Sequence, residues 1–509
     1  MQDKEMFMTN QASAVKRCAA CSIAGLALIF VWSSLSDHMF DLQSTLPAFL
    51  GINPRLFFLL GILGLSVAFI TNPDTTQSRG SALDASLPFV GSLGTVCMAM
   101  ASRQDLFDPG ALCIIGLIAL GVGYCWLTTR FGLLLAQRRS IDCLVYCIAT
   151  ALVLEPILRF GVESIVNQAV LVTVAMAMPV VAAVLLLCAQ RAMRSELIAN
   201  LQDETALPAL ESRTPAPTDG QAVSKTHVIL LFATALLLAT VRTISPVGTW
   251  DAKFDPAPMT SSWELLAAYA ALVAIFARFA LVGAGRKSSL GRFQPAFLIT
   301  VITLFTSFIL AYMLGAKSAV LYTCMCLDDS FAHLLFWTTI ALMIKLSGAA
   351  PFRLVGMAAT VYTVGSIFWL LLLGDSEIIQ ASIMLVAIVI LYALTIVVNN
   401  TRNAQHSSPS ANSQNTASSD DDEAAANRIA RNLEERCAEV AQEYKLSPRE
   451  TEIMTLIVQG KTRLSIQEEL VLAENTVKTH ISHIYRKAGI ASRQELFDLV
   501  FGSDDGAEG

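Results

Sequence analysis

Leu446–Val500 reads LSPRETEIMTLIVQGKTRLSIQEELVLAENTVKTHISHIYRKAGIASRQELFDLV, and its punctuation divides it into short helices. Ser447-Pro448-Arg449-Glu450 is a helix start. Ser447 can cap, Pro448 suits the first helical position, and Glu450 sits where a capping box needs a carboxylate. Ile453, Leu456 and Ile457 then form one apolar stripe, and Gly460 ends the helix. A second helix is expected over about 463–470, with Leu464, Ile466 and Leu470 as its apolar residues. The link 471–473 leads to a third helix, 474–488, closed by Gly489. Ser492-Arg493-Gln494-Glu495 repeats the capping box and opens a fourth helix carrying Leu496, Phe497 and Val500.

The third helix has distinct faces. Val477, Ile481, Ile484 and Ala488 recur at helical spacing as a core stripe. Asn475, Lys478, Thr479, Ser482 and Arg486 form a polar stripe, with Thr476, His480, His483 and Lys487 beside it. A short helix, a tight turn and a helix with an amide and basic face make a helix-turn-helix whose second helix suits the DNA major groove. A solvated face on a small bundle would show the same spacing.

Leu446, Pro448, Arg449, Glu450, Gly460, Ile466, Leu470, Thr476, Val477, Lys478, His480, Lys487 and Gly489 together resemble the LuxR-type (GerE-type) DNA-binding domain. Ser465, Gln467 and Ala473 depart from the usual pattern. The resemblance implies that Lys478, Thr479 and Ser482 face base edges. It implies that Asn475, Thr476, His480, Arg486 and Lys487 hold phosphates and set register. It also makes the helix Ser492–Val500 the expected homodimer surface on double-stranded promoter DNA.

Outward from this segment the chain changes character. Over 509 residues it is 54% hydrophobic and 15% charged, too apolar and charge-poor for a soluble protein. Apolar runs long enough to cross a bilayer fall at 18–36, 56–71, 83–101, 110–129, 141–160, 165–190, 227–244, 263–284, 295–314, 329–346, 352–373 and 377–398. The first has no convincing cleavage site after it and is expected to be a retained anchor. With the N-terminus inside, seventeen Lys/Arg fall on the cytoplasmic side. Six fall outside: Arg55, Arg103, Arg159, Arg242, Lys253 and Lys317. That bias places both termini in the cytoplasm of a bacterium. The expected fold class is all-α: a polytopic bundle of about twelve helices followed by a small four-helix domain.

The longest interior polar segment, 191–226, follows the sixth run. Six spans, a cytoplasmic linker and six spans resemble the layout of major-facilitator transporters, a likeness of span count and central loop alone. Residues 399–423, rich in Ser and Asn and ending in an acid run, read as a flexible tether between a membrane domain, 1–398, and a DNA-binding domain, 424–509. Within the latter, Ile429, Leu433, Cys437, Val440 and Tyr444 form a helical stripe suited to docking on the domain's own core. This domain carries 11 Lys/Arg against 14 Asp/Glu, but Lys478, Arg486, Lys487 and Arg493 cluster around the third helix, and phosphates meet that local field.

No enzyme is indicated. Eleven cysteines include Cys18/Cys21 and Cys324/Cys326 without a second pair at zinc spacing, so no metal and no cofactor is expected. Gly283 to Ser288 lacks the glycine spacing of a nucleotide loop. Within the spans, Glu155, Asn167, Gln168, Arg242, Glu264, Asp329, His333 and Gln380 fall in the outer third, where polar side chains commonly snorkel. Their functional reading is a cavity for an unidentified small molecule, with Glu155, Arg242, His333 and Gln380 as its candidate ligand-binding residues. The whole chain then reads as a one-component transcriptional regulator in the inner membrane. The alternative is a transporter with a regulatory DNA-binding tail.

Overall fold

The computed structural model describes residues 2–38, 53–101, 109–137, 141–165, 167–206, 225–244, 262–282, 293–314, 318–346, 349–372, 388–389, 436–459, 466, 470, 474–490 and 493–501. The described residues are helical with short turns and no strand. The chain separates into two compact units, Met1–Ser408 and Pro409–Gly509.

The first unit contains α1 (Gln2–His38), α2 (Arg55–Thr71), the short α3 (Pro73–Ser78), α4 (Gly80–Ala101), α5 (Pro109–Ala136), α6 (Ile141–Glu163) and α7 (Gln168–Ala206). It continues with α8 (Lys225–Ile244), α9 (Trp263–Ile275, extended by a π-helical turn over Phe276–Val282), α10 (Phe293–Leu314), α11 (Ala319–Leu346) and α12 (Pro351–Leu372). Eight helices among the described residues are long and apolar enough to cross a membrane, and three shorter apolar ones join them. This is a multi-pass membrane unit. Eleven of the expected spans coincide with these helices, while 377–398 lies outside the described residues apart from 388–389.

Several boundaries differ from expectation for identifiable reasons. α1 starts at Gln2 because Met1–Arg17, though polar, is rich in helix formers and free of proline and glycine. α7 runs on to Ala206, so 191–206 is helix rather than linker; 207–224 lies outside the described residues. α11 starts ten residues before the expected 329, through Asp328 and Asp329. The protein accommodates the first of these acids: Ser307 Oγ donates to Asp328 Oδ2 at 2.6 Å.

Helices meet through small residues and through polar pairs. A Cβ added to Gly94 of α4 would lie 2.7 Å from the Gly116 carbonyl oxygen of α5, and one on Gly116 would lie 2.9 Å from the Gly94 oxygen. Trp32 Nε1 donates to Thr95 Oγ1 (3.0 Å) and Trp369 Nε1 to Thr240 Oγ1 (3.0 Å), tying α1 to α4 and α12 to α8. Buried Asp84 on α4 accepts two 2.7 Å bonds from Arg130 and one from Trp126 Nε1 (3.1 Å), both on α5, and one from Gln190 on α7 (3.1 Å).

Proline positions create further links. Pro156 inside α6 has no N–H, so the Leu152 carbonyl four residues earlier loses its helical donor. Tyr269 Oη from α9 donates to that oxygen at 3.2 Å and lies 2.8 Å from Ser330 Oγ of α11.

In the second unit, helix 436–443 leads to α13 (Pro448–Val458), α14 (Glu474–Ala488) and α15 (Arg493–Phe501). One core gathers Cys437, Val440, Ile453, Met454, Ile457, Ile466, Val477, Ile481, Ile484, Leu496 and Val500. The expected docking stripe is thus in place at Cys437 and Val440; Ile429 and Leu433 lie outside the described residues. Of the expected second helix only Ile466 and Leu470 are described, the first fully buried. Gly489 closes α14 at φ +68, the left-handed region that favours glycine.

Gly94→Leu should force α4 and α5 apart and lower the thermal midpoint of the purified membrane protein, at a cost of about 1–3 kcal/mol. An unchanged midpoint would contradict the close α4–α5 crossing.

Candidate functional site

The first candidate site is α14. Val477, Ile481 and Ile484 point inward, at most 5% exposed, and this fixes which face looks out. Thr476, Lys478, Thr479, Ser482, Arg486 and Lys487 are exposed, and His480 is half-buried with no hydrogen-bond partner for Nδ1. Asn475 is helical, but its side chain lies outside the described residues. Lys478 and Ser482, one helical turn apart, share a face with Thr479 and Arg486.

The quoted stretch contains a clamp that its spacing did not reveal. Ser447 and Glu450 make the expected capping box on α13. The buried Glu450 carboxylate also accepts 2.7 Å from Lys487 Nζ at the far end of α14, and His483 Nδ1 lies 3.7 Å away. Lys487 Nζ donates in addition to the Lys445 carbonyl at 3.1 Å. Burial alone would raise the Glu450 pKa. The bonds from Lys487, then from the Ser447 N–H and hydroxyl, outweigh it and hold the group at about 2. Arg449 Nη2 donates to the Leu470 carbonyl at 2.9 Å. In α15, Leu496 and Val500 are buried in the unit's own core, so any dimer contact there would use the helix's other faces.

The second candidate site lies inside the membrane unit. α1, α6, α8, α9 and α11 converge on a cavity of about 30 Å3, lined by Glu155, Arg159, Arg242, Tyr269, Asp329 and His333 among others. That is room for about two waters. Three of the four expected ligand-binding residues meet here, Glu155, Arg242 and His333; Gln380 lies outside the described residues. A second cavity of about 60 Å3, lined by Tyr124, Thr128, Trp337 and Tyr362, shares Arg242 and His333 with the first.

Arg242 Nη1 lies 2.9 Å from His333 Nε2. A guanidinium only donates, so Nε2 accepts and the ring proton sits on Nδ1, which faces the Asp329 carbonyl oxygen at 3.3 Å. The pair forms a wall common to both cavities.

These groups do not snorkel. Asp329 and His333 are buried within the bundle. Arg55 and Arg159, counted on the sequence as exterior charges, are 3% and 2% exposed. Arg55 Nη1 donates to the Arg242 carbonyl at 3.3 Å. Arg159 Nη2 donates to Tyr322 Oη at 3.3 Å, with Glu155 and Glu163 at 3.7 and 3.9 Å. Asn167 and Glu264, by contrast, are exposed. The available sequence signal was Glu155-Pro156-x-x-Arg159, an acid and a base one turn apart around a helix-breaking proline. Among the described residues no group of three or more His, Cys, Asp or Glu side chains could hold a metal.

Residues 444–500 match the family described as bacterial regulatory proteins, luxR family. The C-terminal domain is a LuxR-type helix-turn-helix, carried on a multi-pass helical membrane unit. The probable HTH-type transcriptional regulator GfsR of Streptomyces halstedii is 42% identical over 60 residues, 12% of this chain and 25% of that protein. The HTH-type transcriptional regulator MalT of Serratia proteamaculans is 40% identical over 57 residues, 11% of this chain and 6% of that protein. The chain thus spans a quarter or less of the length of these relatives. Among solved structures, a bacterial homologue of the iron transporter ferroportin aligns over 77% of this chain and 99% of its own, with 13% identity and TM-score 0.47. A D-xylose–proton symporter aligns over 74% and 97%, with 11% identity and TM-score 0.46.

The clamp gives a pH prediction. A carboxyl held below its ordinary 4.5 contributes stability that is fully present above that value and is lost as pH falls toward about 2. Glu450→Gln should cost about 1–3 kcal/mol at pH 7 and flatten the acid limb between those values, read by chemical denaturation of the C-terminal domain. Equal stability of variant and wild type at pH 7 would show that the clamp contributes nothing.

Proposed function

We propose that this chain is a membrane-embedded one-component transcriptional regulator of the bacterial cell membrane. A signal reaching the helical bundle would alter promoter binding by the LuxR-type domain. The observation that carries this reading is the outward face of α14, with Lys478, Thr479 and Ser482 exposed in the same chain as a polar cavity buried in a membrane bundle. Lys478, Thr479 and Ser482 read base edges; Asn475, Thr476, His480, Arg486 and Lys487 contact the backbone. Lys487 would do so from a position already tied to Glu450, so its removal would disturb the fold as well as the phosphate contact.

DNA access requires the C-terminus in the cytoplasm. Three of the six charges assigned to the exterior, Arg55, Arg159 and Arg242, line or pack within the bundle, and the other three, Arg103, Lys253 and Lys317, lie outside the described residues. Pairing through α15 would set half-site spacing, and the 399–423 segment would hold two DNA-binding domains at high effective concentration once membrane units associate. The transporter reading shares the cavity, and net substrate uptake into proteoliposomes would favour it instead.

A fragment spanning 424–509 should bind duplex DNA. Lys478→Ala should cost about 1–3 kcal/mol at a specific site. Arg486→Ala should weaken all sequences alike and reduce the salt slope by about one. If neither change alters binding, α14 is not the groove helix.

Reporter fusions after residues 225 and 400 should signal cytoplasm, and one after 253 the exterior. An exterior signal at 400 would strand the domain away from DNA.

A further inference from the structure

We propose that the first cavity is a binding site for a small zwitterion of the α-amino-acid type. Its ammonium would lie toward Glu155 and Asp329 and its carboxylate toward Arg159. This deepens the sensor reading and rests on it for the ligand's regulatory meaning, but the site stands on its own geometry.

The lining is unevenly satisfied. Glu155 Oε1 and Asp329 Oδ1 are buried oxygens that accept no hydrogen bond, and Arg159 Nε is a buried nitrogen that donates none. The Asp329 side chain is 8% exposed and that of Arg159 2%. Glu155 and Arg159 stand 3.7 Å apart, an ion pair without a hydrogen bond. Such groups cost free energy unless a partner meets them. Two of the three need donors and one needs an acceptor.

That inventory selects the ligand's charges. A simple cation would satisfy both carboxylates but leave Arg159 Nε unmet and sit near two guanidiniums, Arg159 and Arg242. A simple anion would meet Arg159 but face Glu155 and Asp329. A molecule with an ammonium and a carboxylate two bonds apart serves all three groups and adds no net charge to a buried site, where uncompensated charge is expensive. Three ligating acids or imidazoles suited to a metal are not assembled among the described residues.

Size sets a second condition. The cavity admits about two waters as it stands, so an amino acid needs more space. The second cavity, across the Arg242–His333 wall, supplies it, and Tyr124, Trp337, Val355 and Tyr362 give it an apolar and aromatic lining for a side chain. Entry of the ligand therefore moves the Arg242–His333 pair, which gives it a different affinity for the open and closed arrangements, as a signalling ligand requires.

The test uses the purified full-length chain in detergent, without DNA. Each of the common α-amino acids is titrated singly at millimolar concentration, with thermal midpoint and calorimetry as readouts. For any binder, the decarboxylated amine and the des-amino acid of the same skeleton are compared. At least one amino acid should bind, and both analogues should bind at least tenfold more weakly. Arg159→Gln should abolish the preference over the amine, and Glu155→Gln the preference over the des-amino acid. No binding by any amino acid, or an amine that binds as tightly as its parent, overturns the proposal; the ligand comparison on the wild type decides this even if a variant fails to fold. Because no DNA is present, a negative result leaves the DNA-binding reading intact. In a separate titration with promoter DNA, an amino acid that binds but leaves DNA affinity unchanged supports the site and sinks the sensor reading instead.

Discussion

Inside an apolar bundle a polar group left without a partner is costly, and that constraint organises much of the membrane unit. Pro156 is the clearest case. By freeing the Leu152 carbonyl it creates a need that Tyr269 fills, and Tyr269 in turn engages Ser330. One missing N–H thus draws α6, α9 and α11 to a common point. Glu155 and Arg159 flank the same proline, so the missing hydrogen bond in α6 and the charged cavity lie together. Asp84 plays the corresponding part where α4, α5 and α7 meet, with acceptor capacity matched by Arg130, Trp126 and Gln190.

The C-terminal domain solves a different problem, because water can satisfy its surface. Its need is to hold α14 in a fixed orientation on a core built from four short segments. Apolar packing of Val477, Ile481 and Ile484 fixes the helix's rotation. Glu450 adds a longitudinal restraint: it caps α13 and grips Lys487 near the end of α14. Charged groups near the candidate DNA face are thereby divided into those tied to the protein and those directed away from it.

Helix periodicity, hydropathy and capping chemistry made much of this legible. α14 and the Ser447 capping box follow from local sequence, as do eleven of the membrane helices. Charge was misread wherever burial decided the outcome. Arg55 and Arg159 sit beside predicted span ends and look like loop cations; only the packing of distant helices shows them enclosed, Arg159 against Tyr322 163 positions away. The expected start of α11, 329, leaves out Asp328, whose place inside the helix is supported by a partner, Ser307, that only the facing helix reveals. The Lys487–Glu450 contact joins residues 37 apart, beyond any helical repeat. What sequence could not supply, in each case, was the identity of a partner on another element.

α7 is 39 residues long, about 58 Å at the α-helical rise, whereas a bilayer's hydrocarbon core is about 30 Å thick. Its apolar portion ends near Ser195, and the helix continues through charged residues to Ala206. The helix is unbroken over this length but contains Pro179, which removes one internal hydrogen bond in its membrane portion. The Asp84–Gln190 hydrogen bond grips this helix part-way along, in the manner of a fulcrum. Gln190 lies nearer the polar end than the start of the helix, so a tilt about it would move the polar end somewhat less than the end within the lipid.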